Sequence, residues 1–438
     1  MIKHAFVVTL LLFLSPLALS DERLEALVNG TEHTPALSGL QISLMKHREA
    51  SDSFALGIAR LKEARTTPLN RAHKIRVASI SKLVVALGIM TLVEDGRLDL
   101  DADVSRYLGW TLRNPAFPDV AITSRQLLSH TSSIRDASAY FIPAGEGELR
   151  EFFAPASPYW EEGAHFASGP GEEPGRYFVY ANLNFGLLGT LIEMIAGQRF
   201  DLFMAETILQ PLGLAARFNP CTLDDRQRAS AFRKRTAVGA WSPDGPWIAQ
   251  VDGSTVTCYY GMSDSAQADA FLRTYELGSN AALFSPQGGL RASADDLVVI
   301  LRLLAGGGAV DGRRILREES VATMLAPSWT LNENADNGLS AGEAEPGGPT
   351  EGLMTSYGLS VHRIDVRAWG FASGPRVLLG HLGEAYGVLS CALFDPISGD
   401  GIATIITGTA DDPSKHPGHS PLYRVEEEIL RWWMTENP

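Results

Sequence analysis

Apolar and polar residues alternate over Gln41 to Met45 and again over Phe54 to Leu61, with a polar stretch, Arg48 to Ser53, between them. This two-residue period predicts a hairpin with one buried face. Lys74 to Ala78 reads as a third short extended run. From Ser79 the texture changes. The stretch Ser-Ile-Ser-Lys-Leu-Val-Val-Ala-Leu-Gly-Ile-Met-Thr-Leu-Val-Glu-Asp-Gly is apolar on nearly every face. It predicts a helix that ends at Gly96, a residue suited to a helix stop. A helix without a polar face belongs inside the protein.

The middle of the chain, roughly 100 to 280, reads as helical and rich in loops. Thr123 caps a short helix reaching Ser129. Asn184 to Ala196 is a strong apolar helix closed by Gly197, and Phe200 to Leu209 is another short one. Phe218 to Gly261 carries many turn formers and little period, so an irregular excursion is expected. Ser293 to Ala305 and Arg317 to Met324 return to helix. Asn332 to Gly352, polar and rich in Gly and Glu, is expected to be a mobile loop. Four extended runs follow, Gly358 to Ile364, Arg376 to Leu379, Val388 to Phe394 and Gly401 to Thr407, and then a final helix, Pro421 to Met434, bearing Leu430, Trp432 and Trp433.

The order is strands, then helices, then strands. It predicts an α/β protein of the α+β type: an antiparallel sheet built from both chain ends, flanked by helices, with a mostly helical lobe inserted. The expected boundaries are 35–82 and 285–438 for the sheet lobe and 83–284 for the helical lobe. The first twenty residues differ in kind. Lys3 and His4 precede an apolar run from Ala5 to Leu14, and Ala18-Leu19-Ser20 leads into Asp21 and Glu22. Residues 1–20 therefore read as a cleaved secretory signal, the mature chain 21–438 as periplasmic or extracellular, with no integral membrane span left after cleavage.

Composition narrows the function. The chain has 438 residues, 45% hydrophobic and 20% charged, which excludes a disordered chain. Its net charge of −14, without any run rich in Lys and Arg, argues against a nucleic-acid partner. Cys221 and Cys258 share a turn-rich region, where both a bridge and two free thiols fit. Cys391 reads as a small buried apolar residue. No CxxC or zinc-type His/Cys spacing occurs, so neither a metal nor a cofactor is implied.

Three short segments could carry chemistry. Ser79 and Lys82, three apart at the opening of the apolar helix, share one face. A lysine without a polar face to occupy can lose its proton and act as base toward a serine hydroxyl, which is otherwise a poor nucleophile. SxxK by itself occurs by chance in most long chains. Tyr180-Ala181-Asn182 precedes a helix. A tyrosine beside a cation can have a lowered pKa and shuttle protons, and an asparagine can hold a substrate amide. His381-Leu382-Gly383 follows an extended run, and Gly383 would let a substrate approach the backbone.

Taken together, Ser79-Ile80-Ser81-Lys82, Tyr180-Ala181-Asn182 and His381-Leu382-Gly383 resemble the motif set of the serine β-lactamase-like family, in the branch of class C β-lactamases, penicillin-binding-type DD-peptidases and related esterases. The third motif has the HxG form of the esterase-like members rather than KTG. The stretches Leu92 to Leu100, Leu127 to Ser132 and Gly288 to Leu297 also look like the family, and the likeness runs in order from about 40 to 435.

The resemblance implies an acyl-enzyme route. Ser79 attacks a carbonyl, Lys82 and Tyr180 share the base and acid roles, and the N–H groups of Ser79 and Glu384 form the oxyanion hole. Asn182, His381 and Gly383 line the substrate's place. The implied activity is ester or amide hydrolysis on a small-molecule or peptidoglycan-like substrate. A true β-lactamase or DD-carboxypeptidase, or a non-catalytic member binding a cell-wall fragment, are the alternatives. Three departures stand out. His381 replaces a lysine and weakens any carboxylate subsite. Ser133 stands where glycine is usual, which implies a local turn change. Glu384 puts an acidic group over the pocket. One decoy, Gly338-Leu339-Ser340-Ala341-Gly342, fits a hydrolase GxSxG elbow but lacks the strand and helix that elbow needs. His130, beside Ser129, reads as a structural histidine rather than a triad member.

Overall fold

The alternating runs pair as a hairpin. A helix α1 (Pro16–Asn29) leads into β1 (Gly39–Lys46), which turns at His47 and Arg48 into β2 (Glu49–Lys62) and then β3 (Arg65–Pro68). The computed structural model describes residues 16–62, 65–235, 240–242, 244–259, 262, 265–343, 350–372, 376–409 and 418–436. Most of the expected signal segment lies outside the described residues. The end of that segment belongs to α1, whose Leu24 and Leu27 are buried.

The apolar run after Ser79 forms α2 (Ile80–Glu94), buried along nearly its whole length. Thr123 caps α3 (Ser124–Leu128), its hydroxyl accepting the Gln126 N–H while the Gln126 side chain accepts the Thr123 N–H. Then come α4 (Leu183–Ala196), ended by Gly197 at φ 68°, and α5 (Ala294–Ala305), capped by Ser293. The second set of strands is β4 (Trp329–Thr330), β5 (Ser356–Tyr357), β6 (His362–Asp365), β7 (Val377–Ala385), β8 (Val388–Phe394) and β9 (Gly401–Thr407). Helix α6 (Arg424–Glu436) closes the described chain.

These strands form a nine-stranded sheet in the order β4-β5-β6-β7-β8-β9-β1-β2-β3, with all neighbours antiparallel. β1, from one end of the chain, lies against β9 from the other, with Gly39 opposite Thr407 and Met45 opposite Gly401. The apolar runs of β8 and β9 follow from burial on both faces. Leu389, Cys391, Leu393, Ile402 and Ile406 enter one core with α1 and with Leu430, Trp432 and Trp433 of α6. Val388, Ala392, Phe394, Ala403 and Ile405 enter the other, with α2, α4 and α5.

Several sequence expectations shift in detail. The excursion over 218–261 contains a hairpin, Ala231–Lys234 with Trp247–Val251. It also contains a disulfide between Cys221 and Cys258, whereas Cys391 is free and buried. Gly358 to Ile364 is strand only from His362, where β6 begins; 358–361 form a bend that brings Tyr357 of β5 opposite His362. β7 runs past its expected end at Leu379, so His381 and Gly383 lie inside a strand instead of after one.

Candidate active site

The site is assembled where the start of α2, the turn before α4 and the middle of β7 meet. Val77 is tied to Leu290 by a backbone hydrogen bond, Ala78 adopts a left-handed φ of 46°, and Ser79 follows at the helix cap. Ser81 fastens this turn. Its hydroxyl donates to the Ala78 carbonyl at 2.7 Å and accepts the Leu290 N–H at 2.9 Å. The second serine of Ser-Ile-Ser-Lys thus holds the first in place, a role the motif alone does not reveal.

Lys82 is fully buried one turn beyond Ser79. Its Nζ lies 2.9 Å from Ser79 Oγ, 2.8 Å from Asn182 Oδ1 and 2.8 Å from the Gln287 carbonyl oxygen. Burial lowers its pKa to about 8, against the opposing pull of Glu343 and Asp136, with Arg76 adding to the fall. Asn182 Oδ1 and the Gln287 carbonyl can only accept. A neutral amine that donates to both therefore turns its lone pair toward the Ser79 hydroxyl.

Tyr180 is buried, with its ring centroid 4.8 Å from Lys82 Nζ and its phenol hydrogen-bonded to Ser79. Its pKa is not lowered by the cation. Burial raises it well above the usual phenol value, so Tyr180 holds its proton at neutral pH. His130 stacks on the ring at 4.2 Å, and its Nδ1 accepts the Ala181 N–H at 3.0 Å, so it supports Tyr180 as a structural histidine.

Asn182 lies against Lys82, and its amide is fully engaged. Nδ2 donates to Asp136 Oδ2 at 2.9 Å and to Glu343 Oε1 at 3.1 Å. Asp136 escaped the sequence reading because no spacing rule singles it out. Its two oxygens accept the N–H groups of Asn182 and Leu183, both at 2.8 Å, so a carboxylate caps α4 while fixing Asn182. Asp136→Ala is expected to lower stability by about 1–2 kcal/mol in denaturant unfolding, the range for a lost helix cap. Activity should fall with it, because Asn182 loses its anchor.

Gly383 serves a closer contact than expected. A Cβ there would lie 2.7 Å from the Val77 oxygen and 2.9 Å from the Ser79 nitrogen. It is the backbone of the turn that carries Ser79, rather than a substrate, that requires glycine. Ser390 of β8 donates to the same Val77 oxygen at 2.8 Å. Gly383→Ala is expected to push β7 from α2, lowering both melting temperature and turnover; a variant with unchanged turnover would contradict this packing.

His381 differs from its expected place. It is fully buried, with Nε2 2.9 Å from the Tyr357 hydroxyl and Nδ1 2.5 Å from the Leu382 carbonyl. A nitrogen facing a carbonyl must donate, so Nε2 accepts from Tyr357 and the ring is neutral. Burial keeps its pKa well below the usual histidine value. His381 therefore positions Tyr357 and brings no positive charge to the cleft. His362 packs on it at 4.3 Å between ring centroids, and its pKa falls to about 3 on burial.

A cleft of about 390 Å³ opens at Ser79, lined by Tyr180, Gly383, Glu384, Glu343 and His362 among others. A second hollow of about 200 Å³ also touches Ser79 and is lined by Asn182, Arg76 and Glu384. Ser79, Lys82, Tyr180, Asn182, Gly383 and Glu384 thus converge, and His381 stands behind them. The expected loop over 332–352 contributes to the cleft through Ala341, Gly342 and Glu343; residues 344–349 lie outside the described ones. Its Ser340 donates to Glu351 and sits in a turn that continues through Glu343, with no helix directly after it among the described residues. Ser133 adopts φ 64°, the left-handed conformation a glycine would take with less strain. Among the described residues no cluster of three or more His, Cys, Asp or Glu is placed to hold a metal, and no helix is long and apolar enough to cross a membrane.

A buried lysine against a serine at the head of an apolar helix, beside a tyrosine and set on a large antiparallel sheet, is the arrangement of a β-lactamase fold. The Beta-lactamase family model matches residues 32–421, and the chain belongs to that family. It is 30% identical over 163 residues to Penicillin-binding protein 4* of Bacillus subtilis, covering 36% of this chain and 33% of that one. It is 28% identical over 296 residues to Esterase EstB of Burkholderia gladioli, covering 64% and 69%. The matched stretch thus spans only about a third of the former relative. Among solved structures, the octameric penicillin-binding protein homologue from Pyrococcus abyssi superposes with a TM-score of 0.63 at 19% identity, covering 95% of this chain and 77% of that one. The D-amino acid amidase from Ochrobactrum anthropi SV3 gives 0.59 at 19% identity, covering 92% and 95%. At these identities the two structures speak for the fold.

Proposed function

We propose that this chain is an exported serine hydrolase that forms an acyl-enzyme at Ser79 on a small-molecule or peptidoglycan-like ester or amide. The observation that carries the reading is Lys82: buried, lowered to about 8, and turned by two acceptor-only partners so that its remaining contact is Ser79 Oγ at 2.9 Å. Lys82 takes the hydroxyl proton as the Ser79 oxygen bonds to the carbonyl carbon. The N–H groups of Ser79 and Glu384 receive the oxyanion. The proton passes to the leaving alcohol or amine through the phenol of Tyr180, which releases its own proton and regains one from Lys82. Water then attacks the ester by the reverse relay and frees the acid. In this reading the site lies between the sheet lobe (35–82 and 285–438) and the helical lobe (83–284).

An ester or amide substrate is favoured over a β-lactam. A neutral, buried His381 supplies no cation for a β-lactam carboxylate, and Glu384 adds a negative wall. The likeness to an esterase supports the same choice. Purified protein is expected to hydrolyse p-nitrophenyl butyrate with a kcat/KM at least about tenfold above that for nitrocefin. Nitrocefin hydrolysis exceeding ester hydrolysis would overturn the substrate class. Binding of esters without turnover would favour the non-catalytic alternative.

A further inference from the structure

Three carboxylates line the cleft that holds Ser79, those of Glu343, Glu384 and Glu426, and the mechanism makes no use of the last. Pro421, Leu422 and Tyr423, just before α6, and Glu426 in its first turn line that cleft together with Ser79 and Glu384. Glu426 is only 7% exposed. One of its oxygens receives the Tyr423 N–H at 3.3 Å, the bond a glutamate makes at the third position of a helix. Among the described residues its other oxygen has no hydrogen bond and its charge has no cationic partner. Capping explains one oxygen and leaves the other open.

The surroundings make this carboxylate costly to ionise. Glu384, which accepts the Tyr423 hydroxyl at 2.6 Å, adds like charge from β7. Burial first, and Glu384 second, push Glu426 up to about 8. From β8 the Cys391 thiol faces it, itself raised by burial and by Glu426. From the 231–234 strand Arg233 acts on Tyr423, the residue between the two carboxylates. A buried carboxylate with no partner is expensive, and a cation brought in by a ligand removes that cost. An ordinary capping glutamate has no reason to be held in the wall of a reaction cleft.

We propose that Glu426, supported by Glu384, forms a subsite for a protonated amine on the substrate, so that the preferred substrates are esters or amides bearing a free primary ammonium group. The proposal rests on the acyl-enzyme reading for what is cleaved, but amine binding does not require turnover. Binding at neutral pH ionises Glu426, so a proton leaves the protein as the ammonium enters.

The test uses the full chain carrying Ser79→Ala, titrated calorimetrically at pH 7 with 4-(aminomethyl)benzamide and with its uncharged counterpart 4-ethylbenzamide. The amine is expected to bind at least about tenfold more tightly. It should release about one proton per site, read from the difference between two buffers of unlike ionisation enthalpy. Adding Glu426→Gln, which keeps the shape of the side chain, should bring the ratio of affinities close to one and remove the proton release. Glu384→Gln should lower the ratio by a smaller factor. Equal binding of the two amides, including no binding of either, overturns the subsite. So does a ratio that survives Glu426→Gln. Failure of wild-type protein to hydrolyse neutral esters would instead count against the Ser79 reading and leave this ratio unaffected.

Discussion

Ser79→Ala should lower kcat/KM for p-nitrophenyl butyrate by at least about 10³-fold, the scale on which hydrolases lose activity when a covalent nucleophile is removed. The loss should fall on kcat, because the cleft that receives the substrate is lined by many residues besides Ser79 and the Ser79 N–H is retained. The fold should survive the change. Alanine suits a helix start, and the turn is held by Ser81, Leu290 and Ser390 through contacts that do not use the Ser79 hydroxyl. Steady-state kinetics with the melting temperature as control separates the two effects. A variant that keeps its melting temperature and loses less than about tenfold in activity would show that another group performs the attack.

The second large effect belongs to Lys82. Lys82→Met should lower kcat by about 10³-fold, comparable to removal of the nucleophile, since groups that act as one unit share their losses. The wild-type profile should carry a signature of the same residue. In the proposed reaction Lys82 acts as base only when uncharged, and burial lowers its pKa to about 8. Activity should therefore rise with pH and level off above that value. In the Lys82→Met variant the residual activity should lose this limb. Stability follows with a worked sign. The folded pKa lies below the ordinary lysine value of 10.5, so between about 8 and 10.5 the unfolded chain binds more protons than the folded one. The contribution of Lys82 to stability therefore rises as pH increases through that window. Urea midpoints of wild type and Lys82→Met, compared at pH 7 and pH 10, should move apart in that direction.

Much of this was readable in the chain before any coordinates. β8 and β9 fall on the same residues as their apolar runs, because strands buried on both faces must be apolar throughout. α2 announced itself by a run apolar on nearly every face and α4 by its apolar helix pattern, each followed by a glycine stop. Ser79, Lys82, Tyr180 and Asn182, singled out by type and spacing, are brought together by the fold. The features that escaped depend on contacts between distant segments. Asp136 caps α4 from a loop with no regular pattern, and the Gln287 carbonyl that orients Lys82 is backbone, invisible to any motif. The neutral state of His381 is decided by Tyr357 and the Leu382 carbonyl, which only the folded strands bring to it. Tyr180 was expected to ionise more easily beside a cation, and burial outweighs that attraction.

Covalent trapping reaches the nucleophile directly. The full chain, treated with a fluorophosphonate at a series of pH values, digested and analysed by mass spectrometry, should carry one adduct, on the peptide containing Ser79. The labelling rate should climb through about pH 8 as Lys82 loses its proton. An adduct on a different residue, Ser340 for instance, or labelling of Ser79→Ala at the wild-type rate, would contradict it.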